Sequence, residues 1–360
     1  MCGNEALAEA AIIAGCDAYF GYPITPQNEI TAYMSRRMAE EGRVFVQSES
    51  ELAAINMVFG ASATGKRTMT SSSSPGISLM QEGLSYLAGA ELPAVVVNVM
   101  RGGPGLGNIA PSQGDYFQST RGGGHGDYRT IVLAPSGVQE LADCMPLAFD
   151  LADQYLMTVL VLADGILGQM MEPVTLEPKP RRALPAKDWA LTGARDREQN
   201  IVRSLWLGEG ALEKHNHKLQ SKYDRIQRDE VLCETYASDD AEIVVVAYGI
   251  AARIARAAVD RAREEGLAVG LIRPITLWPF PAEQIARAAE HAHAFLTVEM
   301  SMGQMVEDVR LAVAGKAPVR FHGRAGGGVP VVDDVLENIK QCAAPQPSAE
   351  TAPASRRASS

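Results

Sequence analysis

Apolar residues in the first 175 or so positions come as short unbroken runs separated by longer mixed stretches. The runs at 18–22, 43–47, 94–100, 130–133 and 158–162, and with them the segment 68–72 (Thr-Met-Thr-Ser-Ser), predict strands, the run at 94–100 being strongly β-branched. Between them, 5–15, 26–39, 49–64, 77–89 and 138–155 predict helices. Strands without polar alternation are buried on both faces, so this order predicts a parallel sheet covered on each side by helices. Several prolines and basic residues at 173–185 end the pattern. A second α/β series then runs through 243–247 (strand), 250–264 (helix), 268–272 (strand), 281–290 (helix), 294–299 (strand), 303–314 (helix), 319–322 and 332–342.

The expected organisation is therefore a parallel-sheet, three-layer α/β domain at 1–180, an arm at 181–238, and a second three-layer α/β domain at 239–343. A tail at 344–360 is too Ala/Pro/Ser-rich to bury a core, and disorder is expected there. The arm holds Trp189, Trp206 and a charged amphipathic stretch at 209–228, but too little apolar residue for a core of its own. A helix so charged is expected to be solvated or to lie on a neighbouring subunit.

Composition narrows the function. A formal charge of −10 disfavours nucleic acid, whose phosphates call for a basic surface. No run reaches the roughly 18 to 20 apolar residues that cross a bilayer. The first residues lack the charged and apolar regions of a signal peptide, so a cytoplasmic protein is expected. The five cysteines are scattered without a Cys-x-x-Cys pair, which disfavours a disulfide framework and an iron–sulfur site in this chain.

Three polar segments fall at predicted strand ends: Tyr22-Pro23-Ile24-Thr25-Pro26, Gln47-Ser48-Glu49-Ser50-Glu51 and Met100-Arg101-Gly102-Gly103-Pro104. Ligands of open α/β sheets bind at the carboxyl ends of strands, so a hydroxyl, a carboxylate and a guanidinium placed there describe a site. Glu49 and Glu51 open an otherwise apolar helix. One acid is explained by the helix dipole, and the other needs a partner or a special role. Glycine-rich stretches at 102–107 and 122–126 suit a loop closing over a site, with Asn108 and His125 as possible lining groups. The hydroxyls of Ser71 to Ser74 are expected to cap the following helix. Gly60-Ala61-Ser62-Ala63-Thr64-Gly65-Lys66 imitates a phosphate-binding loop, but Arg67 stands where Ser or Thr is needed and the segment runs from helix to strand, so a phosphotransferase is disfavoured. His215, His217 and Cys233 lack a fourth ligand, and exposed histidines are expected instead of a metal site.

Taken together, the Tyr-Pro-Ile-Thr-Pro run, the 51–60 helix, Thr70 to Gly76, Val99 to Pro104, Ala163 to Pro173, Arg273 to Pro281 and Val298 to Gln304 resemble the 2-oxoacid:ferredoxin oxidoreductases over almost the whole chain except its tail. The resemblance is to the subunit with the pyrimidine-binding and transketolase C-terminal-like domains, and the arm is similar to the branched-chain (2-oxoisovalerate) type. It implies thiamine diphosphate as cofactor, coenzyme A as co-substrate, and oxidative decarboxylation of a 2-oxoacid to acyl-CoA and CO2 with electrons passed to ferredoxin or another acceptor. It implies that Thr25 and Arg101 hold the substrate carboxylate and that Glu51, nine positions before Gly60, faces the aminopyrimidine. Tyr22, Pro23 and Ser74 would also border the cofactor. The Gly-Asp-Gly plus Asn motif for Mg2+ and diphosphate is missing, Ala163-Asp164-Gly165 being only a partial imitation. Partner subunits of the β, γ and ferredoxin-like types, with [4Fe-4S] clusters among these partners, are therefore implied. 2-Oxoglutarate, aryl 2-oxoacid (phenylglyoxylate) and pyruvate readings share these motifs. A non-catalytic scaffold is disfavoured by the intact Thr25, Glu51 and Arg101 set.

Overall fold

A computed structural model describes residues 1–178 and 182–343; the tail expected at 344–360 lies outside the described residues. The first unit comprises α1 (Gly3–Ile13), β1 (Ala18–Gly21), α2 (Asn28–Glu40), β2 (Val44–Gln47), α3 (Glu51–Ala63), β3 (Thr68–Ser72), α4 (Ser74–Gly89), β4 (Ala94–Met100), α5 (Tyr116–Arg121), β5 (Ile131–Leu133), α6 (Val138–Tyr155), β6 (Thr158–Asp164) and α7 (Gly165–Gln169). Then follow α8 (Ala211–Asp229), β7 (Cys233–Tyr236), β8 (Ile243–Ala247), α9 (Gly249–Glu264), β9 (Val269–Pro274), β10 (Thr276–Trp278), α10 (Ala282–Ala288), β11 (Ala294–Glu299), α11 (Met305–Val313), β12 (Val319–Gly323) and α12 (Val332–Ala343).

Both units are α/β. The first sheet runs β10-β5-β6-β4-β3-β1-β2 and the second β12-β11-β8-β9-β7. Each is parallel except for one antiparallel edge strand, β10 on β5 and β7 on β9. Every residue of β4 and β6 is buried, which is why these strands read as continuous apolar runs. In the first unit α1 packs with α2 and α6, and α3 packs with α4; in the second, α9 packs with α12 and α10 with α11. The larger apolar core continues from the first unit into the α10/α11 side of the second through Phe295, Met300, Met305 and Val309.

Two edge strands escaped the sequence pattern. Short β10 is bracketed by Pro274, Pro279 and Pro281, residues that a sheet tolerates only at its edge, and it carries chain from the second series onto the first sheet. β7, which precedes the second series, closes the other sheet.

Helix α8 is not solvated on all sides. His215, Leu219, Tyr223 and Ile226 recur at helical spacing, and all four are buried by the same chain. Tyr223 sets its ring edge-on against Trp278 at 5.8 Å, and Lys222 bonds Glu91 (3.1 Å) and the Leu156 carbonyl (3.2 Å). Just beyond the helix, Glu230 accepts from Tyr155 at 2.7 Å and from Arg182 at 2.7 and 3.0 Å.

The segment that imitates a phosphate-binding loop is used structurally. Gly60 to Ala63 are the last residues of α3, and Lys66 forms an exposed pair with Asp17 at 3.5 Å. Arg67 is buried, bonding Asp150 (2.6 Å), Asp153 (2.8 Å) and the Ala14 carbonyl (2.7 Å), while Lys187 meets Asp153 at 2.6 Å. Removing one member of a buried ion cluster strands the others in a low-dielectric interior. Arg67→Met should therefore destabilise the chain by about 3 kcal/mol, the low end for a broken buried pair because Lys187 stays on Asp153. A urea midpoint unchanged from the parent would show that the cluster contributes nothing.

Candidate active site

The chain enters the first sheet at β1, adds β2 on one side, then places β3 on the other. The connections leaving β1 and β3 consequently diverge, and the crevice between their carboxyl ends is the position where open α/β sheets bind ligands. The order β4-β3-β1-β2 brings four strand ends together. Arg101 follows β4, Ser73 and Ser74 follow β3, Thr25 lies in the turn after β1, and Glu51 stands four residues beyond β2. The polar segments foreseen at successive strand ends are thus interleaved in space, with the serines of β3 among them.

Glu51 is placed by a helix start. Ser50 has extended backbone and its Oγ accepts from the Ala53 N–H at 3.2 Å, which makes it the N-cap and Glu51 the first helical residue. Ala54, Ile55 and Val58 bury the helix behind it, leaving Glu51 only 4% exposed. Among the described residues, Ser72 Oγ is the donor to its Oε1, at 3.2 Å. One hydroxyl occupies one of roughly four lone-pair positions of a carboxylate. A Cβ at Gly76 would lie 2.3 Å from Glu51 Oε1 and 2.0 Å from Ser72 Oγ, so the carboxylate occupies space that only glycine leaves open.

The neighbouring cluster joins Ser74, Arg101 and Thr25. Ser74 Oγ accepts from the Arg101 N–H at 3.0 Å and lies 3.2 Å from the Arg101 carbonyl, tying the first turn of α4 to the end of β4. The Arg101 guanidinium is largely buried. It donates to the carbonyls of Thr25 (3.0 Å) and Leu106 (3.2 Å), while its Nε has no partner among the described residues. The turn it grips is fixed from below, Asn4 and Gln169 both donating to the Pro26 carbonyl at 2.8 and 3.2 Å. Thr25 itself is exposed, with Oγ1 3.3 Å from Asn28 Nδ2. Burial, opposed by Ser74 and Asn98, raises the carboxyl of Asp115 above its ordinary range at the edge of this cluster.

The serine run does not cap α4 as the sequence suggested. Ser73 is the N-cap by backbone geometry, yet its Oγ has no partner among the described residues, because Ser72 and Ser74 are turned to Glu51 and Arg101. The helix starts at Ser74, before the residue 77 expected, since Pro75 suits a first turn. Tyr22 and Pro23 are exposed at the mouth, and the Tyr22 carbonyl is held by buried Gln27 at 3.1 Å. Asn108 lies in the loop after Arg101 and donates to the Gly326 carbonyl at 2.9 Å, so it ties that loop to the second unit.

His125 is not brought to the cluster. It sits beside Tyr86, and its carbonyl accepts from Ser85, which lies roughly 16 Å along α4 from Ser74 at helical rise. His217 is exposed as expected, but His215 is buried against Trp206, their rings stacked at 4.7 Å, and Cys233 lies away in β7. Asp164 caps α7 through the N–H groups of Ile166 and Leu167, which explains its motif-like position; burial pushes its carboxyl up to about 6. Ser72 and Gly76 contribute to this cluster and were not singled out individually by the sequence pattern. The only signal for either was its place in a strand-to-helix turn.

A crevice at a topological switch point, with a buried acid on one lip and a guanidinium on the other, is the ligand-binding edge of a two-unit α/β protein. Comparison with known proteins narrows this further. Residues 9–233 match the model "Pyruvate flavodoxin/ferredoxin oxidoreductase, thiamine diP-bdg", and 241–335 match "Pyruvate:ferredoxin oxidoreductase core domain II". The chain is 55% identical to the ketoisovalerate oxidoreductase subunit VorB of Methanothermobacter thermautotrophicus, covering 95% of this chain and 97% of that one. It is 38% identical to the 2-oxoglutarate synthase subunit KorA of Methanothermobacter marburgensis, over 94% of this chain and 97% of that one. A solved 2-oxoglutarate:ferredoxin oxidoreductase from Magnetococcus marinus, with 2-oxoglutarate, coenzyme A and succinyl-CoA bound, superposes with a TM-score of 0.82 at 28% identity. That match covers 95% of this chain but 64% of the other, so the chain spans less than two thirds of that protein. The chain belongs to the 2-oxoacid:ferredoxin oxidoreductase family, whose members depend on thiamine diphosphate.

The residues around Glu51 could hold the ring end of that cofactor. An aminopyrimidine needs an acid at its ring nitrogen, and Glu51 offers buried acceptor capacity beside the glycine cradle at Gly76. Gly76→Ala tests this requirement, because the added Cβ must displace both the Ser72 hydroxyl and the Glu51 carboxylate. The variant should lose about 1–3 kcal/mol of stability to overpacking and bind thiamine diphosphate at least tenfold more weakly in the assembled enzyme, as read by cofactor titration. Unchanged affinity would show that the Glu51 position is not critical.

Proposed function

We propose that this chain supplies the pyrimidine side of a shared thiamine-diphosphate site in a heteromeric 2-oxoacid oxidoreductase acting on branched-chain 2-oxoacids. The observation that carries the reading is the presence, at one crevice, of buried Glu51 and of an Arg101 Nε–H that has no partner among the described residues. When bound, the cofactor supplies the nucleophilic carbon and electron sink for decarboxylation. Glu51 bonds the ring nitrogen and so controls where the proton of the aminopyrimidine resides. Ser72 and the absence of a Cβ at Gly76 hold that carboxylate in place. Arg101 presents its remaining N–H groups to the substrate carboxylate in a rigid fork, and the Thr25 hydroxyl, exposed beside it, completes the grip.

Partners follow from what the chain omits. Its sequence carries no Gly-Asp-Gly plus Asn motif for Mg2+ and diphosphate, and its five cysteines lie on separate elements or loops. A β-type subunit holding the diphosphate, with γ-type and [4Fe-4S]-bearing ferredoxin-like subunits, would complete the enzyme. Apolar residues on the elements around the crevice support a covering partner: Leu52 (47% exposed), Leu79 (55%), Leu106 (81%) and Ile109 (66%) are all turned to solvent. The relatives named for ketoisovalerate favour a branched substrate over 2-oxoglutarate, phenylglyoxylate or pyruvate.

The co-purified complex should reduce viologen in a reaction requiring a 2-oxoacid and coenzyme A, with 2-oxoisovalerate giving the highest kcat/KM of these four acids. Glu51→Gln should lower kcat by roughly a hundredfold or more, the range for loss of a positioned acid–base group. Unaltered turnover in that variant would remove Glu51 from the mechanism.

A further inference from the structure

The second sheet has a switch point of its own, and a residue of the first unit fills it. β9 lies on one side of β8 and β11 on the other, so the crevice falls at the carboxyl ends of β8 and β11, beside Tyr248 and Met300. Gln113 is fully buried there. Its backbone N–H donates to the Met300 carbonyl (2.8 Å) and its Oε1 accepts from the Met300 N–H (2.9 Å). Its Nε2 donates to the Tyr248 carbonyl (2.9 Å), and Tyr248 Oη returns a bond to the Gln113 carbonyl at 3.3 Å. Gly249 has φ +56°, and a Cβ there would stand 3.0 Å from Gln113 Nε2. The crevice that would receive a ligand in another α/β unit is thus closed around this amide.

Gln113 is on the returning arm of the loop that begins with Arg101. The two arms pair through an antiparallel bridge between Arg101 and Pro111, with the Gly102 N–H on the Ala110 carbonyl at 2.9 Å. Only Ser112 separates Pro111 from Gln113. Beyond it, Gln304 donates to the Gly114 carbonyl (2.7 Å) and accepts from the Phe117 N–H (2.8 Å). One arm of the loop therefore carries the guanidinium into the first crevice, and the other is anchored in the second.

We propose that Gln113 is a positioning residue for the substrate carboxylate: it uses the closed crevice of the second unit as a fixed anchor that sets Arg101 in the first. The proposal rests on the assignment of Arg101 to the substrate carboxylate made above. Misplacing a gripping group weakens substrate binding before it alters the chemistry at the reacting carbon, so the effect falls on KM.

The test is steady-state kinetics of the assembled complex with 2-oxoisovalerate for Gln113→Met, Gln113→Glu, Arg101→Ala and the two double variants. Gln113→Glu keeps the side-chain shape and the acceptor for Met300 while setting a carboxylate oxygen against the Tyr248 carbonyl, so it is the deciding variant where Gln113→Met assembles poorly. Each Gln113 variant should raise KM roughly tenfold or more while kcat stays within a factor of about two. In the Arg101→Ala background neither should lower kcat/KM further, because a residue acting only through Arg101 has nothing left to position. Equal losses in both backgrounds, or a KM unchanged in Gln113→Glu, would overturn the proposal while leaving the Arg101 assignment intact. An unchanged KM in Arg101→Ala alone would overturn that assignment and the proposal with it.

Discussion

Because β1 lies between β2 and β3, the backbone leaving its carboxyl end has helices departing in opposite directions on either side. The resulting crevice is lined by whatever follows the neighbouring strands, and here those residues are a turn, a capped helix start, a serine run and an arginine. None of the four could reach the others along the chain. Their meeting depends on the sheet order, which depends in turn on β3 and β4, every residue of which is buried, lying side by side within the sheet. The site inherits its rigidity from that core, since Ser72 is a strand residue and Ser74 and Glu51 open the helices that cover the sheet.

The two units use the same architecture for different ends. In the first, the crevice is left with acceptor capacity at Glu51 and an unpaired donor at Arg101, two features that cost stability unless a ligand satisfies them. In the second, Gln113 makes four hydrogen bonds across the equivalent crevice, which satisfy its backbone and its side-chain amide. An unsatisfied crevice beside a satisfied one is a physical reason to place recognition in the first unit and support in the second.

Helix α8 shows how a charged segment becomes structural. Its buried stripe lies over Trp278, itself part of the strand that the second series contributes to the first sheet. Lys222 is buried with Glu91, and although burial alone would raise that carboxyl, Lys222 and Lys218, both paired with it, hold it below its ordinary range. The helix therefore seals a seam in which residues from both series take part.

The sequence by itself determined the α/β class, the two series of parallel strands, the covering helices and the family, because continuous apolar runs and short motifs are local properties of the chain. It also marked Thr25, Glu51 and Arg101, since residues just past a buried strand must lie at the sheet's ligand-binding edge. Only the tertiary structure decided their grouping and supports. That Ser72 and Ser74 serve a carboxylate and a strand end instead of capping α4, that Gly76 is required by a side chain 25 positions away, and that His125 lies elsewhere all depend on distances between elements. The edge strands β7 and β10 and the buried stripe of α8 were hidden for the same reason: prolines and charges describe the exposed side of a segment, whereas its pairing is set by what the rest of the fold leaves uncovered.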